Sequence, residues 1–460
     1  MIRNANKTNR RSWGIMLILL LTSPFFAKAQ QEVLDGYIQE ALANNLVLKQ
    51  KNVSIEQSLL ALQQARSLYL PTSWLEGQYT LAQGGREINI PVGDLLNPVY
   101  STLNQLTGTS KFPQIENVSE QFLPNNFYDV RLKTTVPVYN PELKYNKSIH
   151  EKKVTMQETD VKIYKRELVR EIKQSYYAIL MADKAINIYS SSLSLVNENL
   201  RLNQSLLANG KGLPAYVSRA ESEVRQVETQ LSNAKNEKDK AIAWFNALLN
   251  RDVNAPVTLA TIQLAEAGSA AIQQVDGNVN AREELKQMGV MKDIQTDALK
   301  LSKAYHAPRV GAFLDLAAQD FNFKVQQTSF FYLGGVQVTV PIFAGNRNLY
   351  KIKSAELDLK NTDFGTADLK RKLEVSAFSS GNNARNNYNN YLLAIQQETS
   401  ATKYFKLIDR GYKEGINSFI ELLDARNQLT QSQLQKELNY FRLLAAMADY
   451  ERQTATYPIN

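Results

Sequence analysis

Residues able to do chemistry are scarce in this chain. Its 460 residues include no cysteine and only two histidines, His150 and His306. Without thiols there is no disulfide framework, no thiolate metal site and no cysteine nucleophile. With two histidines the usual general base and metal ligand is nearly missing. Both read as solvated helical residues rather than ligands, because partners for a site are few. Neither G-x-x-x-x-G-K-S/T nor G-x-G-x-x-G occurs, so no nucleotide site is expected. The 45 acidic residues include no pair marked out for acid/base work. The informative charges are Glu76, Asp129, Arg131 and Lys133, which stand at alternate positions in otherwise apolar stretches. Ser418-Phe419-Ile420-Glu421 fits S-x-x-E, a capping box in which Glu421 bonds the start of a helix.

The alternating charges need strands to carry them. Phe127 to Val138 reads as the clearest one. Tyr128, Val130, Leu132, Thr134, Val136 and Val138 form an apolar side, opposite Asp129, Arg131, Lys133 and Thr135. Ser73 to Leu81 alternates in the same way, as do Arg309 to Ala317 and the stretch from about 331 to 341. Pro341 ends that last ladder because it has no N–H to donate. Phe343 and a Gly345-Asn346 turn follow, and then a helical pattern. VPVYN at Val136–Asn140 matches VPIFA at Val340–Ala344. A strand-proline-aromatic-helix unit used twice predicts an internal duplication. Its switch points are Pro137 and Tyr139 in one copy, and Pro341, Phe343 and Gly345 in the other.

Helical periodicity fills most of the rest. One helix is expected from Glu32 to about Ser67, ended by Pro71. From Ala82 to Asn126 the pattern is lost, and a loop of about 45 residues is expected to be exposed or functional. A long helix spans 141–207, about 100 Å at 1.5 Å per residue. NGKGLP at Asn209–Pro214 breaks it before a helix over 214–249. The second copy repeats the order, with a helix to Tyr305, a long helix over 346–409, a break RGYKEG at Arg410–Gly415, and a last helix over 418–450. The proposed organisation is therefore a first repeat over 30–250, a linker over 251–280, a second repeat over 281–451 and a tail over 452–460. Pro71 and Pro137 are 66 residues apart and Pro308 and Pro341 are 33, so the first copy carries an insertion of about 33 residues.

Residues 1–29 read as a cleavable signal peptide. A basic start precedes the short apolar run Gly14–Leu21, and an A-x-A site stands at Ala27–Ala29. The formal charge of +8 includes five basic residues in that segment and no acid. The remainder has 48 basic against 45 acidic residues, about +3, which is no nucleic-acid footprint. No later stretch is apolar enough for a membrane helix. Any spanning part must therefore be a closed barrel of strands about ten residues long. Four strands cannot close around a lumen, whereas three chains would supply twelve. Glu76, Asp129, Arg131 and Lys133 would then face the pore, with Tyr139 and Phe343 at the height of an aromatic belt. Soluble hairpins with one solvated face are the blander alternative.

The whole stretch from about Gln30 to Tyr450 resembles the TolC-like outer-membrane efflux proteins. The resemblance is carried by VPVYNPELKYNK, VPIFAGNRNLYKIKSAELDL and above all GYKEGINSFIELLDARNQLTQSQL at Gly411–Leu434. It implies an α+β membrane protein: a homotrimer with one 12-stranded outer-membrane β-barrel, four strands per chain, continued by an α-helical coiled-coil tunnel through the periplasm. It also implies a passive exit duct of a tripartite efflux pump or type I secretion system. The implied partners are a periplasmic adaptor (membrane fusion) protein, an inner-membrane transporter of RND or ABC type, and outer-membrane lipid. No cofactor, metal, nucleic acid or enzyme activity is implied. The resemblance places a periplasmic constriction at Glu421 and Asp424, which share one helical face at i, i+3. Glu421 can equally serve the capping box. Tyr412 matches the tyrosine of the family's tip latch. Asn417 stands where an arginine is often found and Ser218 where an aspartate is, which puts an ionic latch in doubt and leaves Arg219 or Lys413 as substitutes. A structural or adhesive trimer with a filled bundle is the competing function.

Overall fold

The computed structural model describes residues 23–260, 262 and 278–459. Residues 1–22 of the expected signal peptide and most of the linker therefore fall outside the described residues. The chain divides into two compact units. One is built on a sheet and contains 60–151 and 296–357. The other is helical and takes the remaining described residues.

In the sheet unit, β1 (Thr72–Thr80), β4 (Phe127–Tyr139), β5 (Arg309–Phe321) and β6 (Phe330–Thr339) form an antiparallel sheet in the order β1-β4-β5-β6. One row of the register runs Leu75, Leu132, Leu316, Tyr332. The next runs Glu76, Arg131, Ala317, Phe331. Because side chains alternate across a strand, this register puts all four apolar sides on one face. That face is bare: Leu75 is 73% and Tyr332 79% exposed. Among the described residues β1 pairs only with β4, and β6 only with β5, so both outer edges keep unpaired backbone groups there.

The segment 82–126 departs from the expected patternless loop. It folds as β2 (Glu87–Ile90), α3 (Val92–Thr107) and β3 (Val118–Gln121), with β2 and β3 paired antiparallel. Two asparagines one heptad apart on α3 clamp the returning chain. Asn97 bonds both backbone groups of Ile115 at 2.9 Å, and Asn104 bonds those of Phe112 at 2.7 and 3.0 Å. These polar clamps hold the returning chain, and α3 itself is legible as a helix, because Val92, Leu95, Leu96, Val99, Leu103 and Leu106 keep helical spacing through the internal Pro98.

The helical elements are α1 (Ser23–Asn44), α2 (Leu46–Ser67), α4 (Pro141–Ala208), α5 (Pro214–Leu249), α6 (Glu283–Lys303), α7 (Arg347–Lys413) and α8 (Phe419–Thr454). α4 and α7 have 68 and 67 residues, and α5 and α8 have 36 each. The single helix expected over 32–67 is broken at Asn45. Its Oδ1 accepts from Leu48 N and from the Tyr164 hydroxyl, and its Nδ2 donates to Leu248 O at 2.9 Å. One side chain thus caps α2 and bonds the end of α5. The apolar spacing runs through this break and conceals it. Around it lies the core of the helical unit, where Tyr37, Tyr176 and Phe245 pack with centroids 5.0–5.9 Å apart. Beside the core, Arg166 Nε and Nη2 donate to the two Glu283 carboxylate oxygens at 2.7 and 2.9 Å, while its Nη1 donates to Tyr457 O at 2.6 Å. Glu284 sits between Arg282 and Arg452, at 2.7 and 2.8 Å. No described helix is long and apolar enough to cross a membrane.

Candidate functional site at the helix turns

The two long helices end in the same way. At the end of α4, Gly210 adopts φ +70, its N–H bonds Leu207 O, and Lys211 N bonds Leu206 O. At the end of α7, Gly415 adopts φ +79, its N–H bonds Tyr412 O, and Ile416 N bonds Gly411 O at 2.7 Å. This pattern satisfies the last carbonyls of a helix and needs a left-handed residue at its hinge, where glycine has no Cβ to strain. α7 continues through Lys413, so the break is 414–418 and not the 410–415 read from sequence. Tyr412 accordingly lies in the last helical turn rather than in a loop.

From there the chain enters α8 through Ser418. The Ser418 Oγ accepts from Glu421 N at 3.3 Å, and Glu421 Oε2 accepts from Ser418 N at 2.6 Å. Glu421 is therefore the acid of a capping box. These bonds, first the one from the Ser418 backbone, hold its carboxyl below the usual range. Asn417 Nδ2 also reaches Glu421 Oε2, at 3.4 Å. The Asn417 Oδ1 occupies the space of a Cβ on residue 411, so any larger residue there would displace the Asn417 side chain. Asp424 is exposed one turn further on.

The other candidates separate into two groups. The Tyr412 hydroxyl donates to Asn203 Oδ1 at 3.1 Å, while its ring packs on Phe419 at 6.1 Å. Burial pushes the Tyr412 hydroxyl pKa up. Arg219 pairs with Glu223 on the same helix, at 2.6 Å. Ser218 is exposed and makes no side-chain hydrogen bond among the described residues. Tyr412, Asn417 and Ser218 therefore do not form one cluster within this chain.

Sequence reasoning missed Asn203, Glu223 and Arg426. Arg426 Nη2 bonds Glu223 Oε2 at 2.5 Å, and both side chains are buried. A signal was present, since each falls on an otherwise apolar stripe. Ala220, Val224 and Val227 flank Glu223, and Leu422, Leu423 and Leu429 flank Arg426.

In the sheet unit, Glu76, Asp129, Arg131 and Lys133 share the face opposite Leu75 and Leu132. Lys133 reaches Glu76 at 2.7 Å across the strands, and Arg131 Nε reaches Asp129 at 2.7 Å along one strand. At the strand-to-helix junctions the β4–β5 register shifts between Pro137 and Tyr139. Asn140 Oδ1 then accepts from Glu142 N to start α4. In the second copy Pro341 O receives His306 Nδ1 at 3.2 Å, Gly345 and Asn346 both take positive φ, and Phe343 is exposed. Among the described residues no group of three or more metal-type ligands comes together.

No family model matches the chain. No curated protein matches it. Solved structures do. The outer membrane channel CmeC of Campylobacter jejuni is similar over 92% of this chain and 85% of its own, with TM-score 0.72 and 14% identity. The outer membrane protein VceC of Vibrio cholerae is similar over 93% and 98%, with TM-score 0.73 and 13% identity. The open state of the outer membrane channel MtrE of Neisseria gonorrhoeae is similar over 92% and 88%, with TM-score 0.71 and 14% identity. The chain has the fold of these outer-membrane channels.

Proposed function

We propose that this chain is the outer-membrane exit duct of a tripartite efflux pump or type I secretion system. Three copies form it, and it conducts substrates passively. The observation that carries the reading is the sheet. One face is apolar and bare, the other holds Glu76, Asp129, Arg131, Lys133 and Asp315, and both edges are unpaired. In lipid every backbone N–H and C=O must be paired, so such a sheet is satisfied only by closing with others into a barrel. Three sheets of four strands give twelve, enough for a water-filled lumen. The apolar face then meets lipid and the charged face meets water, with Tyr139 and Phe343 at the interface.

Assembly also finds support along α7. Tyr350, Leu357, Phe364, Phe378 and Leu392 recur at multiples of seven residues, and all are exposed in the single chain. Arg371 and Arg385 fill the two intervening steps. A heptad stripe of this kind is a seam for a neighbouring helix. At 1.5 Å per residue α4 and α7 are each about 100 Å long, a length suited to a periplasmic tunnel. The recurrence of element lengths supports two repeats within each chain. No catalytic step is assigned. Energy comes from an inner-membrane transporter reached through an adaptor, and substrate choice rests with them.

At the tunnel tip the reading assigns Glu421 and Asp424 to the constriction. The capping bonds do not exclude this, because they hold Glu421 ionised and fixed. Six carboxylates around one axis would favour cations and repel anions. Purified protein in planar bilayers tests both levels. A conducting channel whose cation preference falls in Glu421→Gln with Asp424→Asn is the expected result. No current would replace the duct with a filled bundle, and unchanged selectivity in the double variant would remove these residues from the constriction.

A further inference from the structure

We infer that the buried Glu223–Arg426 pair is the positioning element that aims Glu421 and Asp424. The inference rests on reading those acids as the constriction. Arg426 is 1% and Glu223 2% exposed. Arg426 Nη2 bonds Glu223 Oε2 at 2.5 Å and Asn427 Oδ1 at 2.7 Å. The other Glu223 oxygen takes Arg219 at 2.6 Å. Nε and Nη1 of Arg426 are buried and meet no acceptor among the described residues.

Stability alone does not account for this arrangement. Removing two charges from water commonly costs more than their attraction returns, and an apolar pair of similar volume is often as stable or more so. Two buried donors without acceptors add to the cost. Apolar residues occupy the equivalent positions one turn away on both helices, at Val227 and Leu429. What a charged pair supplies in such a seam is a single register. Apolar side chains slide past one another with little penalty, whereas a carboxylate and a guanidinium in a dry seam have one good alignment.

The placement turns register into aim. With 3.6 residues per turn, Arg426 lies roughly 170° around α8 from the midpoint of Glu421 and Asp424. It sits two residues beyond Asp424, or about 3 Å along the axis. Arg426 therefore pins the back of α8 to α5 at nearly the level where the acids face away. Arg219, on α5 itself, holds the Glu223 carboxylate through its other oxygen at 2.6 Å. Rotation or sliding of α8 at this level would swing both acids together.

The test compares the wild-type protein with Glu223→Leu/Arg426→Met in planar bilayers, reading reversal potential under a potassium chloride gradient, alongside thermal stability. The expected result separates the two readouts. The double variant keeps or gains stability while its cation-to-anion permeability ratio falls at least about twofold. Wild-type selectivity in this variant overturns the inference. If it fails to assemble, Arg426→Lys is read instead, because it keeps the charge but loses the planar fork. A smaller fall in selectivity supports positioning, and an unchanged ratio overturns it. Glu421→Gln/Asp424→Asn is measured in parallel. If that variant keeps wild-type selectivity, the constriction itself is misassigned and the positioning role falls with it. If it loses selectivity while the buried-pair variants do not, only the positioning role falls.

Discussion

The pairing of Glu284 with two arginines makes acid stability a quantitative test of the helical unit. Burial by itself raises a carboxyl pKa. Here hydrogen bonds from Arg282 and Arg452 outweigh it and carry Glu284 from the ordinary 4.5 to about 2. A carboxyl held low in the folded state contributes stability that is complete above its unfolded pKa and lost as the pH falls through the folded one. The window therefore runs from about pH 4.5 down to about pH 2. The gap of about 2.5 units corresponds to about 3 kcal/mol per chain, of which about 2 kcal/mol is lost by pH 3. Glu284→Gln removes the charge while keeping the side-chain shape, so at pH 7 it should lose about 3 kcal/mol. The assay is unfolding of the detergent-extracted protein followed by circular dichroism at about pH 6, 4 and 3. The gap between wild type and Glu284→Gln should narrow as the pH falls. A gap that stays constant down to pH 3 would refute the reasoning, because the contribution would then not come from ionised Glu284.

Two further outcomes follow from the site and the sheet. Ser418→Ala should cost about 1 kcal/mol and speed hydrogen exchange in the first turn of α8, with Ser418→Asp restoring protection; equal exchange in all three proteins would remove the cap from the account. Leu132→Arg on the bare face of the sheet should cost about 2–4 kcal/mol per chain if that face meets the middle of a bilayer. Trimer yield in outer-membrane extracts should then drop, and yield equal to wild type would show that the face does not meet lipid.

Much of the architecture is legible in the chain because it depends on local spacing. Alternation at Tyr128, Val130 and Leu132 against Asp129, Arg131 and Lys133 specifies a strand and its two faces wherever that strand pairs. Pro71, Pro341 and Gly415 mark ends because their backbone preferences act in any context. The S-x-x-E at Ser418 acts over three residues, and the structure forms the capping box those residues allow. What local spacing cannot hold is partnership between distant segments. Asn45 breaks a continuous apolar period because Leu248 and Tyr164, far away in sequence, accept and donate at its side chain. Within the insertion over 82–126 the apolar spacing of Leu95, Leu96, Val99 and Leu103 could have shown the helix, whereas the bonds of Asn97 and Asn104 to the backbone of Ile115 and Phe112 could not be read from spacing. Arg219, left by the sequence as a substitute for an ionic latch at the tip, pairs with Glu223 on its own helix. Arg426 and Glu223 are 203 residues apart. Each alone is a charge on an apolar stripe, and only packing α5 against α8 makes them a pair, because a charge can be buried there only where its counter-charge already is.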